Sequence, residues 1–254
     1  MRAKDHPEIF LQTLELTKDF GKLRAVNKVT LDIRKGDVHA IIGPNGAGKS
    51  TYFNLITGYH AASEGRVFFK SQDITKVPSY RRCRLGMTRS FQITSIYPKL
   101  DVYESILMAL LSQRGVTTKF FSNAKKFFRE EIWRILEDVG LADQAHVMGD
   151  SISHGDKKRL ELAITLGTGP TLLLLDEPTC GMSPEETDGT MILINKLSAE
   201  RGITILFTEH DMGVVFGIAK RISVLHQGTL IADGSPLEVR NSEEVQKVYL
   251  GGTA

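Results

Sequence analysis

The chain has 254 residues, 41% of them hydrophobic, and a formal net charge of +2. That length suits one α/β domain with a smaller appended lobe, or two small domains, and supplies a full core without disulfides. The near-neutral charge gives no long-range steering toward nucleic acid, so no nucleic-acid partner is expected. Cys83 and Cys180 stand far apart without metal-ligand spacing, which fits a reducing compartment. The N-terminal MRAKDHPEIF is charged throughout and lacks the apolar centre of a signal peptide. No segment reaches about 18 apolar residues free of charge, so work at a membrane requires docking on a partner.

In chain order, the alternation in LQTLEL and VNKVTLDI predicts two strands between Leu11 and Leu31, with a turn at Lys18–Lys22. A second turn at Arg34–Asp37 leads into the short apolar strand VHAII, which runs directly into GPNGAGKST. STYFNLITG then reads as a helix ending at Gly58, and GRVFFKSQDITKVP as a strand and turn. Residues 99–112 and 126–139 carry apolar positions at three- and four-residue steps and predict helices, separated by an irregular stretch over 113–123. TLLLLDEP reads as a buried strand, 185–200 as a helix, ITILFTEH as a second buried strand and MGVVFGIAKR as a short helix. RISVLHQGTLIADGS reads as a hairpin turning at His226-Gln227-Gly228, and 241–250 as a last helix. Strands alternating with helices predict a layered α/β core.

Gly43-Pro44-Asn45-Gly46-Ala47-Gly48-Lys49-Ser50 satisfies GxxxxGK[ST] between a predicted strand and a predicted helix, the context that this motif requires. Its glycines allow backbone N–H groups to converge on phosphate oxygens. Lys49 brings charge to the β- and γ-phosphates, and the Ser50 hydroxyl, beside Thr51, is the expected Mg²⁺ ligand. Nucleoside triphosphate binding follows, but not what its hydrolysis drives.

Four leucines, Leu172 to Leu175, end abruptly at Asp176 and Glu177. A carboxylate at Asp176 can hold Mg²⁺ through water, and Glu177, pointing differently, can act as general base on an attacking water. Gln92 falls in SFQIT before the predicted helical lobe; an amide there can touch Mg²⁺ or the attacking water, although a lone Gln is more often an ordinary surface amide. His210 ends a strand similar in style to that of Asp176. It can donate to the γ-phosphate or hold Glu177 and water, although a lone His is more often structural.

As a set, these motifs resemble the ABC ATPase family over about residues 10–250. The resemblance identifies Gly43–Ser50 as Walker A, Gln92 as the Q-loop, Ser151–Asp156 as the signature region and LLLLDEP as Walker B with the catalytic glutamate. Cys180–Glu185 resembles the D-loop, and His210 the switch histidine. It implies an α/β fold of the ABC-type P-loop NTPase: a RecA-like core, an antiparallel β subdomain and an α-helical subdomain. One domain is expected over 1–254, with 10–90 and 165–254 forming the nucleotide-binding core and β subdomain and 90–165 the helical lobe. The resemblance makes ATP with Mg²⁺ the expected ligand; Phe20 matches the aromatic that stacks on adenine, although a single aromatic there is as often a packing residue. The signature reads ISHGD where the family has LSGGQ. In the family this segment caps the γ-phosphate of ATP on the opposite subunit, which Ser153, His154 and Gly155 would do here, aided by the N-terminus of a helix beginning near Asp156.

SQDIT, RLGMTRSFQITSIYPKLDVYESIL, TEHDMGVVFGIAKRISVLHQGTLIADGSPLEVR and VQKVYLGG narrow the resemblance to the ATPases of bacterial branched-chain amino acid importers and their urea and short-amide relatives. Such subunits are peripheral, on the cytoplasmic face of the membrane. They pair as homo- or heterodimers beneath two integral permease subunits, with a periplasmic or surface solute-binding protein in the same system. The competing readings are a lipid or lipopolysaccharide exporter ATPase, a soluble ABC protein of DNA repair or translation, and a non-hydrolysing regulatory subunit.

Overall fold

A computed structural model describes residues 8–90, 97, 99–115 and 127–250. The elements are strands β1 (Ile9–Phe20), β2 (Leu23–Arg34) and β3 (Val38–Ile42), helix α1 (Lys49–Ile56), and strands β4 (Glu64–Phe69) and β5 (Gln72–Asp73). Helix α2 (Ser79–Arg84), strand β6 (Met87–Arg89) and helices α3 (Val102–Arg114), α4 (Arg129–Val139) and α5 (His154–Gly167) follow. Then come β7 (Leu172–Asp176), α6 (Pro184–Arg201), β8 (Thr204–Thr208), α7 (Met212–Ile218), β9 (Arg221–His226), β10 (Thr229–Gly234), α8 (Pro236–Arg240) and α9 (Glu243–Leu250).

Two sheets result. A four-stranded antiparallel sheet has the order β2-β1-β4-β5, and a six-stranded sheet the order β10-β9-β3-β8-β7-β6. The larger sheet is parallel from β9 to β6 and closes on one side with antiparallel β10. Its central strands VHAII, LLLLD and TILFT are buried at every position. Such unbroken burial arises because both faces are covered, as parallel sheets require. Leu173, Leu175, Ile205 and Phe207 face the core shared with α3, α4, α5 and α6. Leu172, Leu174 and Leu206 face the opposite core, shared with α1 and the antiparallel sheet. Helix α1 lies inside that second core, with Tyr52, Phe53, Leu55 and Ile56 buried.

Local chemistry differs from the sequence expectations at several points. The first hairpin turns only at Gly21-Lys22: Lys18, Asp19 and Phe20 pair with Val26, Arg24 and Leu23. Arg24 holds both carboxylate oxygens of Asp19 at 2.8 and 3.1 Å, which carries the ladder past the expected turn. Helix α3 begins at Val102, capped by Asp101, and runs through Arg114 to Gly115, so the first two residues of the expected irregular stretch are helical. The remainder of that stretch lies outside the described residues. The short elements α2, β6 and α8 have no expectation to match. Each is too brief to show a period, and α2 is fixed instead by buried Arg82, which donates to the carbonyls of Leu55, Ile56, Thr75 and Val77. The second hairpin turns where expected, with Gln227 and Gly228 both at positive φ (48° and 78°).

Candidate nucleotide site

The loop between β3 and α1 is shaped by close backbone approach. A Cβ on Gly43 would overlap the Leu225 carbonyl oxygen, and one on Gly48 would lie 2.5 Å from the Ala25 carbonyl oxygen. Only glycine fits these two positions, both of which also have positive φ (153° and 101°). Gly48 caps α1 without a side-chain partner, and no acidic residue stands in the first turn. The N–H groups at that end therefore remain open to an anion, with the helix dipole favouring one.

Lys49 is 8% exposed. Its Nζ donates to the carbonyl oxygens of Gly43 (2.6 Å) and Pro44 (3.2 Å), folding the ammonium back over its own loop. Burial pulls its pKa down, while the carboxylates of Glu177 and Asp176 pull it up. Asn45 to Thr51 line a cleft of about 470 Å³ together with Leu23, Arg24, Ala25, Gln227, Glu177 and His210. Lys49 and Ser50 thus share one cavity with the acid and the histidine found from sequence.

The parallel register sets Asp176 opposite Thr208 at adjacent strand ends. Thr208 Oγ1 donates to Asp176 Oδ1 at 2.6 Å, and Arg89 Nη2 donates to Oδ2 at 2.5 Å. Glu177 follows at φ 50°, a left-handed backbone uncommon for this residue type, which turns its carboxylate out of the sheet into the cleft. Its Oε1 lies 3.0 Å from His210 Nε2. Glu209, 4% exposed, accepts from Thr179 N (2.8 Å), Thr179 Oγ1 (2.6 Å) and His210 N (3.1 Å), which ties the segment after Glu177 to the segment after β8.

The other sequence candidates lie apart. Phe20 is 44% exposed at the end of β1 and is not among the residues lining the cleft; it meets His60 edge-on at 5.5 Å, with Lys18 Nζ 5.1 Å from its ring. Gln92 lies outside the described residues. Ser153, His154 and Gly155 stand at the start of α5, which begins at His154, two residues before the expected point. Ser153 is its cap: Oγ accepts from Asp156 N (3.1 Å) and donates to Asp156 Oδ2 (2.8 Å). Within one chain none of these three lines the cleft of the phosphate loop. His154 instead borders a second cavity of about 330 Å³ between α5, α6 and the end of β7.

Arg89, Asn54, Thr208 and Glu209 were not found by sequence reasoning. Glu209 carried a signal, as a carboxylate placed directly after an apolar strand and beside His210. Arg89 carried none.

A family model described as "ABC transporter" matches residues 26–180, and one described as "Branched-chain amino acid ATP-binding cassette transporter" matches residues 229–254. The chain belongs to the ABC transporter ATP-binding family. The cassette is 37% identical over 239 residues to the high-affinity branched-chain amino acid transport ATP-binding protein LivG of Salmonella typhimurium, covering 91% of this chain and 94% of that protein. It is 36% identical over 250 residues to BraF of Pseudomonas aeruginosa, a protein of the same description, covering 95% and 97%. An ATP-binding cassette of an ABC transporter crystallised in its ADP conformation superposes with a TM-score of 0.83 at 30% identity, covering 96% of this chain and 99% of that one. The cassette is thus an ABC-type ATPase with the expected α/β fold of parallel core, antiparallel sheet and helices. Among the described residues no helix is long and apolar enough to cross a membrane.

Proposed function

We infer that this cassette is the energy-coupling ATPase of an importer for branched-chain amino acids. It would work at the cytoplasmic face of the membrane as one of two paired ATPase subunits, identical or not, beneath two permease subunits and with an extracytoplasmic binding protein supplying solute. The single observation that carries the hydrolytic part is the shared cleft. Lys49 and the open N-terminus of α1 face Glu177 and His210 across it. The transport part is supported by LivG and BraF, which align along nearly their whole length.

The phosphates of ATP would lie against the N–H groups of the Asn45–Thr51 stretch, with Lys49 leaving its loop carbonyls for the β- and γ-phosphates. Phe20 would meet the adenine from the rim. Glu177 would accept a proton from the attacking water, and His210, hydrogen-bonded to Glu177, would orient that carboxylate. Ser50 and Asp176 fit as holders of Mg²⁺, with Gln92 as a further oxygen donor. The described residues contain no cluster of His, Cys, Asp and Glu able to cage a metal, and Mg²⁺ takes only one or two protein oxygens when phosphates and water supply the rest. Bound there, Mg²⁺ would neutralise charge developing on the phosphoryl group.

Ser153, His154 and Gly155 do not reach the cleft of their own chain, which supports their acting on ATP held by a second subunit. The chain then divides into a nucleotide-binding core with the antiparallel sheet (10–90 and 165–254) and a helical lobe (90–165). Phosphate release from Mg-ATP, followed with oligomeric state in wild type and Glu177→Gln, tests the motor. Turnover in wild type with a trapped ATP dimer in the variant supports it, and turnover equal in both rejects it. Uptake of leucine against urea by cells carrying the cassette with its permeases tests the solute.

A further inference from the structure

Arg89 is the last residue of β6, the strand at the edge of the larger sheet, and its backbone pairs with Leu174 two residues before Asp176. Its guanidinium is held from three directions. Nη2 donates to Asp176 Oδ2 at 2.5 Å, Nη1 donates to Asn54 Oδ1 on α1 at 2.5 Å, and the group lies 5.6 Å from the ring centre of Phe53. The side chains of Arg89 and Asp176 are 16% and 2% exposed, so water screens this ion pair little. Arginine keeps its charge at every working pH.

Asp176 therefore has a resident cation. Thr208 occupies Oδ1 and Arg89 occupies Oδ2, leaving about half of the carboxylate's acceptor positions for water around a metal. A divalent cation and a guanidinium drawn to one buried carboxylate repel each other, and the repulsion is strong where solvent is scarce.

We propose that Arg89 is a positioning residue that acts as the built-in counter-cation of Asp176. It holds the carboxylate turned and charge-balanced when no metal is present, and it weakens the hold of Asp176 on a divalent ion when one is bound with nucleotide. Arg89 also grips Asn54, on the helix that carries Lys49 and Ser50, which fixes the guanidinium itself beside Asp176. The inference rests on the reading of Asp176 as a metal-holding residue.

The test is Mn²⁺ binding by electron paramagnetic resonance, titrated with saturating ADP, in wild type, Arg89→Met, Arg89→Gln and Arg89→Lys. The two neutral variants are expected to bind Mn²⁺ about threefold more tightly or better, and the lysine variant to stay within about twofold of wild type. Thermal unfolding gives a second readout. In EDTA the neutral variants unfold at lower temperature than wild type, and Mn²⁺ with ADP raises their midpoint by more than it raises that of wild type. Two neutral side chains are used so that a folding failure in one leaves the other to decide. Unchanged or weaker Mn²⁺ binding in a folded neutral variant overturns the proposal. A different result, no Mn²⁺ binding with ADP even in wild type, would sink the metal assignment of Asp176 itself and this inference with it.

Discussion

Glu177 and His210 meet across the ends of two neighbouring parallel strands, with Nε2 of the histidine 3.0 Å from Oε1 of the glutamate. The pairing follows from β7 and β8 running side by side and from the left-handed turn at Glu177, which swings its carboxylate toward the loop after β8. In Glu177→Gln the shape persists but the base is lost. Hydrolysis should fall by about 10²- to 10⁴-fold with ATP affinity retained. His210→Ala should lower kcat with little change in KM, because the ring orients and does not carry the nucleotide. Phosphate release and nucleotide binding measured on the same samples check both.

Lys49 donates to the carbonyl oxygens of Gly43 and Pro44. Lys49→Ala removes the only ammonium that lines the cleft among the described residues and should raise the ATP dissociation constant by about tenfold or more. The loop itself, held by Gly43 against Leu225 and Gly48 against Ala25, should keep its shape, so thermal unfolding without nucleotide should change little. Fluorescence titration with a labelled nucleotide, paired with a melting curve, separates the two effects.

Most of this site was legible because its chemistry is local. GPNGAGKS and LLLLDEP each state their own function through spacing and through the strand that precedes them. His210 was legible by analogy between two strand ends. Arg89 was not, because its role depends on strand order: β6 lies beside β7 only after a crossover spanning the whole helical lobe, and no local pattern announces such a neighbour. Asn54 was hidden for the same reason, as a half-buried polar residue on a helix whose local pattern shows no partner for it. The extension of β1 past Lys18 was not legible because Lys18–Lys22 has turn chemistry locally, whereas the Asp19–Arg24 pair that continues the ladder exists only once the strands are in register. The longest elements were legible from period, and the shortest, α2 and β6, were set by tertiary partners.

His39 carries a prediction about acid. It sits fully buried in β3; Nε2 lies 2.7 Å from Ser223 Oγ, which donates to Asp233 Oδ1 at 2.9 Å. The serine proton is thus committed to Asp233, so the ring donates through Nε2–H, and Nδ1 has no hydrogen-bond partner among the described residues. Burial pushes the His39 pKa down to about 4, with Arg221 and Arg34 adding to the fall and Asp233 opposing it. The folded state therefore resists a proton that the unfolded chain takes up near pH 6.5. Stability from this group is complete above that pH, is lost as pH falls toward about 4, and then levels off; the full change is about 3 kcal/mol. His39→Gln should flatten that window. Urea unfolding at stepped pH, read as wild type minus variant, checks it, and a flat difference would remove His39 as the cause.

Glu209 links the two halves of the hydrolytic pair without lining the cleft. Its carboxylate collects three donors, from Thr179 twice and from the His210 backbone, in a site almost closed to water. Thr179 lies two residues after Glu177, and Glu209 precedes His210, so this one side chain fixes the distance between base and histidine. Glu209→Ala leaves all three donors unsatisfied and should cost about 1–3 kcal/mol of stability. Glu209→Gln keeps an acceptor oxygen for Thr179 and should fold nearly as well. It should still lower kcat, because the bonds from Thr179 lose their charge assistance and the amide NH2, itself a donor, cannot accept from the His210 N–H. A merely structural role predicts the opposite pattern, with kcat in Glu209→Gln equal to wild type once the protein is folded. Measuring kcat and KM beside the unfolding midpoint for both variants decides between them: a fall in kcat at unchanged KM and near-normal midpoint assigns Glu209 to positioning the reactive pair.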